Sequence, residues 1–240
     1  MIVECALLPS MLPEALSADD HAVVIDVVRA TSFLVTALEL GARGVEPVAE
    51  VAEARARAAE RGALLAGERG GLPPEGFDLG NSPRELNAAV VRDRDIVLST
   101  TNGTAAVARC AGAGRVLAGA LLNAEATARA LGVSRAERVW LVCAGSGGEL
   151  ALDDVAAAGC LAGQLVLSAG AELREGARLA AALFDQWKHD LHGLLASSTS
   201  GRKLIEVGLG EDLRHCAKVD ALPFAVELDS DGRFVKSGAR

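Results

Sequence analysis

Tyrosine is absent from this chain of 240 residues, and aromatic residues of all kinds make up 3% of it although half of its residues are hydrophobic. A core without large rings has to be assembled from Ala, Val and Leu, which favours closely approaching helices and strands. Positive charge is also scarce: 24 Lys and Arg face 32 Asp and Glu, a formal net charge of −8. Such a field opposes non-specific binding to nucleic acid or to an anionic membrane. A small anion is still admissible where Arg side chains or a metal ion gather positive charge locally. The five cysteines, Cys5, Cys110, Cys143, Cys160 and Cys216, are odd in number, widely spaced and without a C-x-x-C. That excludes a disulfide framework and a zinc knuckle and points to a reducing cytoplasm. Met1 to Leu16 has no basic leader and carries Glu4, Pro9 and Pro13, so no signal peptide is expected. The longest apolar stretch, Val155 to Ala171, is small-sided and interrupted by Gln164, and no membrane span is expected from it.

What is present is a regular alternation. Ile2 to Leu8 suits an edge strand, and His21 to Val28 is a near-continuous β-branched run of the kind buried on both faces of a parallel sheet. Thr31 to Leu40 has helical periodicity. The unit recurs with strand Gly44 to Val48, an Ala-rich helix Val51 to Arg61 carrying the i,i+4 pair Glu53 and Arg57, and strand Ala63 to Ala66. Helix Pro83 to Val91, strand Asp95 to Ser99, helix Thr104 to Ala111, strand Arg115 to Ala118, helix Asn123 to Leu131 and strand Arg138 to Cys143 come next. From Leu152 the pattern turns helical, over Asp154 to Ser168, Arg174 to Leu195 and Ser200 to Leu209. A terminal hairpin of Phe224 to Leu228 and Arg233 to Lys236 closes the chain. The pattern predicts an α/β fold: three layers, α/β/α, around a mostly parallel or mixed sheet, with a helical C-terminal third. No low-complexity linker divides residues 1–240, which are read as one domain.

The least regular stretch is Gly67 to Pro83, which gathers five Gly and three Pro. A connection of that length is functional or disordered, and Leu72, Phe77 and Leu79 within it argue that it folds onto the body. In open α/β sheets ligands bind beyond the carboxyl ends of strands. That rule singles out Asp26 to Ser32, Gly67 to Arg69, Thr100 to Thr104, Leu122-Asn123 and Cys143 to Glu149. Asp26 stands alone in an apolar strand, and a buried carboxylate must be paired, protonated or metal-bound. An ion pair with Arg29 is the structural alternative. Ser82, with Pro83 at the first helical position and Glu85 three residues on, reads as a capping box. Helix N-termini at Ser82 and Asn102 also suit an anion.

Several chemistries are excluded by letter. Gly145 to Leu150 lacks the third Gly of the dinucleotide fingerprint, and no Walker A lysine motif exists. Glu149 stands where a cysteine phosphatase built on Cys143 needs Arg, and Val28 where a haloacid-dehalogenase phosphatase needs its second Asp. His189 and His192 have metal-compatible spacing, but with no further ligand nearby in sequence they read as a solvated helix face.

Taken together the motifs resemble the ComB-type 2-phosphosulfolactate phosphatases. The resemblance is carried by Val24 to Thr31, Gly67 to Gly71, Gly76 to Pro83, Thr100 to Thr104, Cys143 to Gly145, and Asp154 with Ala157-Ala158-Gly159, in the family's order and over nearly the whole chain. Two departures touch side chains: Ser32 stands where the family has Thr, and Ala151-Leu152-Asp153-Asp154 where it has Ser-Leu-Glu-Asp. The resemblance implies a Mg²⁺-dependent hydrolase that converts 2-phospho-3-sulfolactate to sulfolactate and phosphate, a step toward coenzyme M. On it, Asp26, Arg29 and Glu68 are expected to be catalytic, and Asp26, Glu68 and Asp154 to hold Mg²⁺. Thr31, Arg69, Asn81, Ser82, Thr101, Asn102, Gly103, Thr104, Gly145 and Ser146 are expected to bind the small anionic phosphorylated substrate. A phosphatase for another phosphorylated carboxylate, and a non-catalytic anion-sensing module, remain as alternatives. Neither direct attack by water, as against a phosphoenzyme on Asp26, nor assembly into a homo-oligomer is decided by the sequence.

Overall fold

The computed structural model describes residues 1–134 and 136–238. Its strands are β1 (Ile2–Ala6), β2 (Asp20–Ile25), β3 (Gly44–Pro47), β4 (Leu64–Gly67), β5 (Asp95–Ser99), β6 (Arg115–Gly119), β7 (Arg138–Cys143), β8 (Glu172–Leu173), β9 (Val226–Leu228) and β10 (Phe234–Lys236). Its helices are α1 (Ala30–Glu39), α2 (Val51–Arg61), α3 (Ala88–Val91), α4 (Gly103–Arg109), α5 (Ala124–Val133), α6 (Leu152–Ala169), α7 (Glu175–Trp187), α8 (Leu191–Ser197), α9 (Thr199–Glu206) and α10 (Asp212–Cys216). The expected α/β class, with a mixed sheet and a helical last third, is borne out.

All ten strands form one sheet in the order β4-β5-β3-β10-β9-β6-β2-β7-β1-β8. Two blocks are internally parallel, β4-β5-β3 and β6-β2-β7-β1-β8. The C-terminal hairpin lies between them, β10 antiparallel to β3 and β9 antiparallel to β6, so the two blocks run in opposite senses along the sheet. Sheet twist of about 20–25° per pairing turns the strands through roughly 100° over the five pairings from β5 to β2. Loops at the carboxyl ends of both blocks line one cavity.

Strand β2 shows why the layers form. Its Val23 and Ile25 pack with Leu131 of α5 and Leu161 of α6 on one face, while Ala22 and Val24 pack with Phe33, Leu34 and Leu38 of α1 on the other. A third, smaller cluster joins Ala54 and Ala58 of α2 to Leu65 and Val97. The shortage of rings is met by close approach. A Cβ on Gly159 of α6 would collide with the Ala180 carbonyl of α7, so only glycine lets these helices touch. Leu161 is fully buried on the same helix, and its truncation to Ala would cost about 2–5 kcal/mol. By length and composition α6 is apolar enough to cross a membrane. Here it packs between α5 and α7, with Asp153 and Asp154 buried in its first turn.

Four expectations change. The helix foreseen over Pro83 to Val91 shrinks to α3, capped by Asn87, whose side chain accepts from the Ala89 N–H. The long helix Arg174 to Leu195 breaks after α7, where Asp190 caps α8 by accepting from the Gly193 N–H; His189 falls in the break. Strand β1 is not at the edge, because the two-residue β8 flanks it. Strand β2 ends at Ile25, which leaves Asp26 just beyond the strand.

Candidate active site

The loops after β2, β4, β5 and β7 meet α9 around a cavity of about 180 Å³. Its polar lining includes Asp26, Arg29, Glu68, Asn81, Thr100, Thr101, Asn102, Ser146, Ser200 and Lys203. Of the residues expected from sequence, Asp26, Arg29, Glu68, Asn81, Thr101, Asn102 and Ser146 are therefore brought together.

Asp26 is buried at the end of β2, and its carboxylate accepts from the Ala30 N–H at 3.3 Å and from the Gly103 N–H. A Cβ on Gly103 would come within 2.8 Å of the same carboxylate, so glycine is required for α4 to begin there. Burial pushes the Asp26 carboxyl up to about 7; the Ala30 N–H opposes this, and the like charges of Asp153 and Glu68 add to it. Glu68 is held on both oxygens. Oε1 accepts from the Thr101 N–H at 3.0 Å and from the Thr101 hydroxyl at 2.9 Å, and Oε2 accepts from the Gly71 N–H at 2.9 Å. Thr101 thus orients a carboxylate and is not free to grip an anion.

Arg29 is not paired with Asp26. Its guanidinium donates to Asp212 Oδ2 at 2.7 Å and to the Gly71 carbonyl at 2.7 Å, and both partners of the Arg29–Asp212 ion pair are 2% exposed. The Ser82 hydroxyl donates to the other oxygen of Asp212 at 2.7 Å. Ser82 is therefore no helix cap; it ties the long loop to α10 through Asp212. This correction has a physical reason: a buried aspartate facing an arginine needs its second oxygen satisfied, and that demand outweighs local capping. Asp212 was missed because its partner lies 183 residues away with no local motif. Lys203 and Ser200 of α9 were missed as well, since a lone lysine on a surface helix carries no signal.

Other expected residues serve the frame and do not line the cavity. The Arg69 guanidinium donates to the Glu68, Ser99 and Ala49 carbonyls and to the Ser99 hydroxyl, tying the ends of β4 and β5. The Thr31 hydroxyl donates to the Asp26 carbonyl, and the Thr104 hydroxyl to that of Thr100. Asp154 accepts from the Val27 N–H on one oxygen and from the Gly145 N–H on the other, each at 2.9 Å, so it bridges the turns after β2 and β7. Its carboxyl is pushed up by burial and by Asp153 and Asp26. Asp153, beside it, is pushed up to about 6 by burial, and its Oδ1 has no partner among the described residues. The long loop is pinned as its apolar residues suggested: Phe77 packs on the α2 cluster with Arg55 over its ring, and Leu79 packs on the α1 side.

A metal's fit can be judged from the donors. Among the described residues no three His, Cys, Asp or Glu side chains converge on one point, so the expected trio Asp26, Glu68 and Asp154 does not assemble. Two carboxylates do line the cavity, with the Asn81 Oδ1 and Thr100 Oγ1 atoms buried beside them and without a partner among the described residues. An all-oxygen set with two carboxylates is what Mg²⁺ accepts, the remaining positions falling to water and substrate.

Paired acids beside a rigidly held guanidinium, in a crevice at strand ends, define an enzyme of the α/β class that handles a small anion. A family model described as 2-phosphosulpholactate phosphatase matches residues 6–231. A Pseudothermotoga lettingae protein named "Probable 2-phosphosulfolactate phosphatase" is 40% identical, over 94% of this chain and 96% of its own length. Proteins of the same name from Gloeobacter violaceus (40% identical, 89% of each chain) and Prochlorococcus marinus strain MIT 9303 (42%, 85% of this chain and 86% of its own) agree. The chain belongs to the 2-phosphosulfolactate phosphatase family.

Proposed function

We propose that this protein hydrolyses the phosphomonoester of 2-phospho-3-sulfolactate, releasing sulfolactate and phosphate, with Mg²⁺ held by Asp26 and Glu68, as a step of the coenzyme M type. The observation that carries this reading is Asp26 itself: a buried carboxyl raised toward neutrality, facing Glu68 and Arg29 across one cavity. Perturbed acids in a cleft mark chemistry. The lining is also short of positive charge for such a substrate, because the Arg29 charge is matched by Asp212, which leaves Lys203 as the unmatched cation among the described lining residues. When bound, Mg²⁺ supplies that missing charge and draws density from the phosphoryl oxygens.

The chain's own residues do the rest. Arg29, locked by Asp212 and Gly71, presents its remaining donors to the phosphoryl group at no cost in reorganisation. Thr101 and Gly71 hold Glu68 rigid, and Gly103 and Ala30 hold Asp26. When it holds Mg²⁺, Asp26 is kept as a carboxylate, and it is placed to accept a hydrogen bond from the attacking water. The test is phosphate release from 2-phospho-3-sulfolactate by the purified protein with Mg²⁺ or with chelator. Release that needs Mg²⁺ and disappears in Asp26→Asn supports the reading. Equal release in chelator removes the metal from it, and equal release in Asp26→Asn removes Asp26.

A further inference from the structure

Two cations line the cavity, and they come from different walls. Arg29 enters from the turn after β2 and is already matched by Asp212 and the Gly71 carbonyl. Lys203 enters from α9, at the rim, with its ammonium 3.5 Å from the Ser146 hydroxyl. Lys188 and Lys236 each reach a carboxylate, but Lys203 has no acidic partner within pairing distance among the described residues. Ser146, by contrast, is 7% exposed and fixed by a backbone bridge to Glu149. The next residue, Gly147, donates its N–H to Asn102 Oδ1 at 3.1 Å, which joins the β7 loop to the β5 loop on this same side.

We propose that Lys203 and Ser146, with Ser200 beside them, form a subsite for the anionic group of the substrate that is not transferred, so that the enzyme selects 2-phospho acids over simple phosphomonoesters. The proposal rests on the phosphatase reading, in which the phosphoryl group lies at Asp26 and Arg29. An ammonium without a counter-ion, backed by a held hydroxyl, offers charge-assisted donors to a sulfonate or carboxylate. The sequence points to Ser146 but not to Lys203, which lies in the helical third, outside every strand-end motif.

The test measures kcat and KM on four esters: 2-phosphosulfolactate, 2-phospholactate (carboxylate only), the phosphate ester of 2-hydroxyethanesulfonate (sulfonate only) and ethyl phosphate (neither). In Lys203→Met the preference of kcat/KM for 2-phosphosulfolactate over ethyl phosphate should fall about 10- to 100-fold, through KM, while Lys203→Arg keeps most of it. The two esters with one anionic group besides the phosphate show which anion the subsite takes: the one whose preference over ethyl phosphate falls. Equal losses on all four esters, or none, overturn the proposal. Calorimetric binding of sulfolactate separates it from the phosphatase reading. If the wild type hydrolyses no phosphomonoester, the phosphatase reading fails; a tenfold or greater loss of sulfolactate affinity in Lys203→Met still supports the subsite, and an unchanged affinity overturns it.

Discussion

The cavity has two walls of opposite character. The long loop from Gly67 to Pro83 is unmistakable in the sequence, yet most of its polar groups hold the frame: Arg69 ties strand ends, Ser82 supports Asp212, and Gly71 satisfies both Glu68 and Arg29. The wall built by α9 and α10 is compositionally plain, yet it brings Lys203 to the rim and sets Asp212 against Arg29. Unusual composition here reports unusual backbone geometry. Chemistry-bearing groups can arrive from an ordinary helix, because a side chain needs only direction and reach.

The largest expected effect leaves both walls intact. Asp26→Asn should lower kcat by about 10²–10⁴-fold in phosphate-release assays while leaving the fold unchanged by circular dichroism. Next, Asp212→Asn should destabilise the protein by about 3–5 kcal/mol in urea unfolding, since it leaves the Arg29 charge buried without its partner. Ser82→Ala, on the long-loop side of the same contact, should cost only about 1.5–3 kcal/mol. If Ser82→Ala cost as much as Asp212→Asn, the contrast between the walls would collapse.

A smaller effect concerns pH. Asp26 and Asp153 bind protons more tightly in the folded chain, up to about 7 and about 6 against the ordinary value of 3.8, and Asp154 is raised as well. The folded state therefore holds more protons than the unfolded one between about pH 4 and 7, so the stability from these groups is complete below that window and is lost as pH rises through it. In chelator, the melting temperature should drop by roughly 5 °C between pH 5 and pH 8, with a shallower slope in Asp26→Asn. Equal slopes in the two proteins would contradict the burial argument, because His21 and His215, lowered by burial and gaining stability as pH rises, act alike in both. The smallest expected change is in Arg69→Gln, which should lower the melting temperature by roughly 2–4 °C but shift KM less than about twofold.

Strand runs and their alternation with helices were legible because buried β-branched segments such as His21 to Val28 leave a clear pattern. The position of the terminal hairpin was not, since nothing in Phe224 to Lys236 says that it joins two parallel blocks. Asp26, Glu68 and Asn102 are legible as polar residues standing at the ends of strands or the start of a helix, whereas Asn81 was expected at the start of a helix that does not form there. The same criterion also sweeps in Arg69, Thr31, Thr104 and Gly145, because a strand end needs its backbone groups satisfied and these residues serve that need; Asp154 was expected only from the resemblance. Ser82 looked like a cap because its distant partner, Asp212, leaves no trace near it in sequence.

The proposed hydrolysis depends above all on Asp26, set among Glu68, Arg29 and a bound Mg²⁺. Its most direct test is the release of phosphate from 2-phospho-3-sulfolactate by wild-type protein and by Asp26→Asn, each titrated with Mg²⁺. Mg²⁺-dependent turnover is expected in the wild type, with turnover lower by about 10²-fold or more in the variant. Equal turnover by the two proteins would contradict a role for Asp26 in the reaction.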